Sequence, residues 1–379
     1  MNDSTEDAEN TMSIYTIGEI PQLRILGRND GIKDPLNVYW HGGGVEMNIR
    51  ASELWLDVRV DYDYMEPWLV VFIDGAPIQR RMLTKEDRRI PIFRGMEPGV
   101  LRRVQIIRDT QPMPFDPKIM LQFTGLETDG TFEELPAPAL RLEFCGDSIT
   151  CGEGLAGFGD DNEWRAAYLC NIGAYTLETA RLLSGECRMV SLGGWGSLMS
   201  YDGLKKHAIP LYYEKVCGMY GIDIVTTAAM AGAMGMNAAG AFQAYDFSSW
   251  PADVVIVNLG TNDSSGIANT LPAEEQAAGL EAFTESAVQF LTMIRRCNPG
   301  AYMIWAYGML GDPLRPQLTE AIRRYQEQTG DTRAEYLPLP NTEPGEFGCR
   351  LHPGLPSHKK AAQAIAARIR ELQAQGLVR

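Results

Sequence analysis

The stretch Leu135-Pro-Ala-Pro-Ala139 divides two hydrophobic patterns that one layered sheet cannot satisfy together. Before it, apolar residues alternate over short segments. Val45, Met47 and Ile49 share a face, as do Leu54, Leu56, Val58 and Val60. Leu69, Val71 and Ile73 run into the turn Asp74-Gly75, and Val104, Ile106, Leu121 and Phe123 close the series. A period of two, punctuated by Gly, Pro and Asp, predicts antiparallel strands in a β-sandwich or jelly roll, with no helix beyond two turns between 36 and 126.

After the prolines the pattern changes. Leu140, Leu142 and Phe144 begin a strand, residues 165–183 carry a helical period, and Arg188–Leu192 reads as a strand. Asp253–Leu259 is a continuous apolar run, as expected of a central parallel strand covered on both faces. A helix opens at Pro272 with Glu274 and Glu275, and ends at Arg295-Arg296 before Asn298-Pro299-Gly300. Its charges match the helix dipole. Tyr302–Tyr307, a helix over 314–328 and a last amphipathic helix from about Ser357 to Gly376 complete the alternation. Strand alternating with helix predicts a doubly wound, three-layer α/β/α domain of flavodoxin-like type. The expected order is a disordered acidic tail over 1–11, the β-sandwich over 12–135, a linker over 136–139 stiffened by its prolines, and the α/β domain over 140–379. Residues 203–250 carry no clear period; their Ala/Gly/Met-rich centre, Ala228 to Ala241, suits a packed helix or a lid over a pocket.

A formal charge of −15 argues against nucleic acid and anionic membrane as partners and leaves a small-molecule or oligosaccharide substrate. Seven cysteines, an odd number without a C-x-x-C pair, point to free thiols in a reducing compartment and away from a disulfide framework or zinc ribbon. The acidic N-terminus lacks the basic and apolar regions of a signal peptide, so a cytoplasmic location is expected. No apolar run reaches the length of a membrane span.

Four small blocks fall at strand ends or in the loops after them: Gly146-Asp-Ser-Ile-Thr150, Gly193-Gly194, Gly260-Thr-Asn-Asp263 and Leu351-His-Pro353. Together they supply a hydroxyl, a backbone amide, a side-chain amide and an imidazole, which are the parts of an acyl-transfer site. In that order the blocks resemble the SGNH (GDSL-type) hydrolases over about 140–370. Trp40-His-Gly-Gly-Gly44, Val70-Val-Phe-Ile-Asp-Gly75, the strand about Val104 and the Pro-rich linker narrow the resemblance to the two-domain carbohydrate esterase family 2 proteins, in which a jelly roll precedes an SGNH domain. The resemblance implies a serine esterase that removes acetyl groups from sugars, with Ser148 as nucleophile, His352 as base, and Ser148, Gly194 and Asn262 as oxyanion hole. It implies no metal and no organic cofactor.

One departure stands out. The positions two and three before His352, where such enzymes place an orienting Asp, hold Arg350 and Cys349. A Ser148–His352 dyad is therefore expected, with a backbone carbonyl or a carboxylate from elsewhere receiving the ring N–H. Other residues carry weaker readings. His41-Gly-Gly-Gly44 imitates a lipase oxyanion motif without the required G-x-S-x-G elbow and reads as a hairpin turn. Cys145 and Cys151 read as apolar fillers, His358 as solvated or structural, and Asp147 and Asp263 as loop braces. Trp195 is a candidate sugar contact or a core residue. The rival functions are a lysophospholipase or thioesterase of the same chemistry, and a sugar-binding protein whose catalysis has weakened.

Overall fold

The computed structural model describes residues 11–116, 118–219 and 240–379. The tail over 1–10 and most of the Ala/Gly/Met-rich stretch, through 239, lie outside the described residues. In the N-terminal half, one antiparallel sheet holds β1 (Ser13–Tyr15), β3 (Leu36–Asn37), β5 (Leu54–Asp61), β8 (Arg89–Phe93) and β10 (Met120–Thr128), in the order β1-β10-β5-β8 with β3 also on β10. The other holds β2 (Arg24–Leu26), β4 (Gly44–Arg50), β6 (Trp68–Ile73), β7 (Ala76–Met82), β9 (Arg102–Arg108) and β11 (Thr131–Glu133), in the order β11-β4-β9-β6-β7 with β2 on β4. Met47 sits opposite Val104, and Val58 opposite Phe123. These alternating residues turn inward from both sheets into one shared core, while Arg59 between Val58 and Val60 stays exposed. The period of two in the sequence is thus the in–out alternation of pleated strands.

The C-terminal half is built on a parallel sheet of β12 (Arg141–Gly146), β13 (Glu186–Ser191), β14 (Val254–Asn258), β15 (Tyr302–Tyr307) and β16 (Ala334–Pro338). Its order, β13-β12-β14-β15-β16, places the second strand of the half outside the first. Helices α1 (Tyr175–Leu182) and α5 (Leu355–Ala374) cover one face with Leu142, Phe144 and Ile256. Helices α3 (Ala273–Cys297) and α4 (Arg315–Thr329) cover the other with Cys145, Val255 and Trp305. Every residue of β14 is buried, which is why its sequence is apolar without alternation. The strand order reverses between β12 and β14. Chain connections diverge there, and in open α/β sheets such a reversal is where ligands bind, at the C-terminal strand ends.

Three elements depart from the sequence reading. The helix expected over 165–183 begins only at Tyr175, after a single turn at Ala166–Tyr168. Between them the chain is drawn toward the N-terminal half: Asn171 gives its N–H to the Asp109 carboxylate at 2.6 Å and its side-chain amide to the Arg108 carbonyl at 3.1 Å. Helix α2 (Thr261–Thr270) was hidden by its composition, since Asn, Asp, Ser, Thr and Gly make up most of it and are poor helix formers. Strand β16 is a half-buried edge of five residues, too short to declare a period.

The two halves share buried polar contacts. Arg28, wholly buried, pairs with Glu143 of β12 at 3.0 Å and donates to the Tyr213 carbonyl. The Trp40 indole N–H reaches the Val216 carbonyl at 2.7 Å, and Arg80 pairs with Asp109 at 2.5 Å while donating to the Ala167 and Leu169 carbonyls. Buried charges persist only when paired and hydrogen-bonded, so removing one partner of either ion pair would be strongly destabilising.

Candidate active site

β12 ends at Gly146, and Ser148 stands two residues on, beside the strand-order reversal. Its loop folds back on itself in a tight turn: Cys151 N–H donates to the Asp147 carbonyl at 3.0 Å, and Glu153 N–H to the Ser148 carbonyl at 3.0 Å. Asp147 lies beneath, fully buried, with one carboxylate oxygen accepting the Ile149 N–H at 3.0 Å. Burial pushes its pKa up to about 7. Ser148 itself keeps a small opening to solvent.

His352 approaches from the far end of the chain. Its Nε2 lies 2.8 Å from Ser148 Oγ, and its Nδ1 lies 2.9 Å from the Arg350 carbonyl oxygen. A carbonyl can only accept, so Nδ1 carries the hydrogen and Nε2 is left bare to take the serine proton. The acceptor of the ring N–H is therefore the backbone of the residue that stands where an orienting Asp was missing. That carbonyl is aimed by unusual backbone: Arg350 and Leu351 both lie in the left-handed region, at φ of 55° and 56°. Neither is glycine, and such conformations persist only where surrounding contacts enforce them.

The Ser148 and His352 loops meet at Gly154. At φ +99° it sits where a Cβ would lie 2.7 Å from His352 Cβ and 2.8 Å from the Pro353 carbonyl. Only glycine permits this approach.

Gly194, at φ +82°, follows the glycine that approaches Ser148, and a Cβ built on it would lie 3.2 Å from the ring of Tyr201. Among the described residues no acceptor takes the N–H of Ser148 or of Gly194. Asn262, in the first turn of α2, points toward the same region, but both its Nδ2 hydrogens are engaged, with the Trp195 carbonyl at 2.9 Å and Asp147 at 3.2 Å. Donating to an oxyanion would mean trading away the longer of these bonds. Two donors thus stand free and a third is held ready. Asp263 braces the glycine loop by accepting the N–H groups of Ser197 (2.9 Å), Leu198 (2.6 Å) and Met199 (3.1 Å). Burial still raises its pKa to about 6.

Trp195 and His41 are both buried. The Trp195 side chain, 4% exposed, is stacked on His207 with ring centroids 4.7 Å apart and tilted against Tyr212. Its ring is core, unavailable to a sugar, and what it offers the site is the carbonyl that holds Asn262. His41 does lie in a turn, closed by the Gly43 N–H on the Trp40 carbonyl at 3.0 Å, but the flanking strands do not pair as a hairpin and its ring is fully buried, with Nε2 3.0 Å from Ser191 Oγ. Burial lowers its pKa to about 3. His358 is likewise buried and structural, its Nδ1 accepting the Tyr175 N–H at 3.1 Å and its pKa lowered to about 3 by burial. Cys145 and Cys151 are fully buried, which raises both thiols well above their usual range. Among the described residues no group of three His, Cys, Asp or Glu could hold a metal ion.

Three residues of the site carry no signal in the sequence. Gln111, from the N-terminal half, accepts the Gly193 N–H at 2.8 Å and so steadies the glycine loop from across the chain. Tyr201 flanks Gly194 with its ring more than half exposed. Glu153, 3% exposed, pairs with Arg350 at 2.5 Å. An isolated Gln, Tyr or Glu in a loop has no spacing to betray it.

Comparison with known proteins matches residues 142–365 to the GDSL-like lipase/acylhydrolase model. An acetyl xylan esterase from the rumen bacterium Butyrivibrio proteoclasticus is 36% identical, with a TM-score of 0.88 over 96% of this chain and 99% of its own. A family two carbohydrate esterase from Clostridium thermocellum, solved with cellohexaose, shares the fold at 22% identity, with a TM-score of 0.76 over 94% of this chain and all of its own. The cellulase/esterase CelE of Acetivibrio thermocellus is 24% identical over 341 residues, 87% of this chain but only 37% of that protein's length. With the motif blocks gathered at one sheet edge and the family model spanning more than half its length, the chain belongs to the GDSL-like lipase/acylhydrolases.

Proposed function

We propose that this chain is a carboxylic ester hydrolase that removes acetyl or other short acyl groups from O-acylated carbohydrate. The observation that carries the reading is the 2.8 Å contact between Ser148 Oγ and a His352 ring whose tautomer is set by the Arg350 carbonyl, beside two free backbone amides. Ser148 Oγ attacks the ester carbonyl carbon as its proton passes to His352 Nε2. The oxyanion forms against the amides of Ser148 and Gly194, with Asn262 as third donor. Collapse breaks the bond to the sugar oxygen, which takes the proton from Nε2, and water then repeats the sequence on the acyl-enzyme.

A Cβ built on Gly193 would lie 3.2 Å from Gln111 Oε1, 3.4 Å from Glu153 Oε2 and 3.5 Å from Ser148 Cβ, so the glycine loop passes close to Ser148 and Glu153. The likeness to an acetyl xylan esterase favours an oligosaccharide as the alcohol partner. We further read the N-terminal sheets as a jelly roll joined at the 136–139 linker to a catalytic domain over 140–379. Seven free cysteines support a reducing compartment such as the cytoplasm. The test is acetate release from acetylated xylo-oligosaccharides, alongside p-nitrophenyl esters of rising chain length. Turnover of acetylated sugar, lost in Ser148→Ala, is expected. A preference for acyl chains of about eight carbons or more, as an apolar channel would give, would contradict the reading and favour a lysophospholipase or thioesterase.

A further inference from the structure

We propose that Glu153 and Arg350 form a charged clamp that positions His352 and supplies, from the nucleophile loop, the carboxylate absent from the histidine loop. The proposal deepens the esterase reading and rests on it for its kinetic part.

The geometry runs through three points. Glu153 follows Ser148 by five residues, and its N–H is fixed to the Ser148 carbonyl at 3.0 Å, so its position is tied to that of the nucleophile. Its side chain is nearly buried and divides between two partners: Oε1 takes the Arg350 Nε–H at 2.5 Å, and Oε2 lies 3.9 Å from His352 Nε2. Arg350 is held along its whole length. Its backbone N–H donates to the Asp161 carbonyl at 3.0 Å, its terminal nitrogen to the Asn162 carbonyl at 2.7 Å, and its own carbonyl receives the His352 ring. These ties account for a left-handed conformation that an arginine would not adopt unaided.

The clamp has an electrostatic consequence. When Nε2 takes the serine proton, the imidazolium forms beside the Glu153 carboxylate, which favours the charged ring. An unpaired carboxylate so near the oxyanion would repel it, and Arg350 offsets that charge. An Asp in the histidine loop acts from the Nδ1 side. Here the carboxylate stands on the Nε2 side and the Nδ1 side is left to a carbonyl. The other ionisable groups around the ring are Asp147 beneath Ser148 and His358 on α5, and burial favours the neutral form of both.

Two variants separate the clamp from plain structural support. Arg350→Gly removes the guanidinium but tolerates φ near +55° better than any other residue. Glu153→Gln keeps shape and removes charge. The first readout needs no catalysis: the downfield proton resonance of His352 Nδ1–H, assigned by its absence in His352→Ala. It should broaden or move upfield in Arg350→Gly. The second is the rate at which a fluorophosphonate labels Ser148. Both variants should label about ten- to a hundredfold more slowly, a part of the roughly ten-thousandfold attached to losing an orienting group. For p-nitrophenyl acetate, Glu153→Gln should lose about tenfold or more in kcat, because the charged ring formed during attack no longer faces a carboxylate. KM for p-nitrophenyl acetate should change little. An unmoved Nδ1–H resonance in Arg350→Gly, with labelling within about twofold of wild type, would overturn the proposal. So would a Glu153→Gln whose loss appears in KM with kcat unchanged, since that marks a structural role. Wild-type labelling of Ser148 without acetate release from any ester would sink the esterase reading and leave the clamp standing on its resonance.

Discussion

Ser148 and His352 reach the same 2.8 Å contact on unlike supports. The serine stands two residues past a buried parallel strand, in a turn closed by its own backbone and braced by the carboxylate beneath it. The histidine sits in a loop whose shape depends on side-chain ties to a distant part of the chain and on two non-glycine residues in left-handed backbone. Rigid scaffolding supports Ser148, and local constraint supports His352.

The largest effects test whether the two supports serve one reaction. Ser148→Ala and His352→Ala should each lower kcat by about a millionfold, and the double variant should be no worse, because the pair acts as a unit. Additive losses would show that His352 works independently of Ser148. Asn262→Ala should reduce kcat by roughly a hundredfold, the usual loss for one oxyanion donor. An unchanged kcat would mean that its bonds to Asp147 and the Trp195 carbonyl are its whole role. Trp195→Ala should destabilise the fold by about 3–5 kcal/mol, read by denaturant unfolding, with KM for acetylated sugar nearly unchanged. A raised KM without loss of stability would restore it as a sugar contact.

The smallest effect separates the two sides by pH. His358, behind the base, has its folded pKa lowered to about 3, so below about pH 6.5 the unfolded chain binds a proton that the native state refuses. Stability contributed by this group is complete near neutrality and declines as pH falls. Asp147, behind the nucleophile, has its pKa raised to about 7, so its contribution is fullest in acid and is lost as pH rises toward 7. The two slopes oppose each other between pH 5 and 7, so thermal unfolding of His358→Gln should show stability falling more steeply with rising pH than in wild type. An unchanged pH dependence would show that protonation of His358 is not linked to unfolding.

The same contrast explains what was legible in the sequence. The nucleophile block, the glycine pair and the Asn262 block sit at strand ends, where apolar runs and small residues leave an ordered trace. The in–out alternation of Val45 to Ile49 and of Leu54 to Val60 declared the first half just as clearly. The missing Asp before His352 was legible as a gap, but the Arg350 carbonyl that fills it was not, because any residue has a carbonyl and only backbone conformation aims it. Helix α2 escaped because its residues favour turns, and Trp195 because the same ring suits a core or a sugar equally well. Gln111 was invisible for a further reason: its role exists only once the two halves are packed together.

The most direct measurement is capture of the acyl-enzyme. The protein is mixed with an acetylated xylo-oligosaccharide, quenched in acid within a turnover, digested, and the peptide carrying Ser148 is weighed by mass spectrometry. The account predicts an acetyl group on Ser148 that vanishes in Ser148→Ala and accumulates when the second, water-dependent step is slowed. Acetate release with no adduct on Ser148, persisting in the alanine variant, would contradict it.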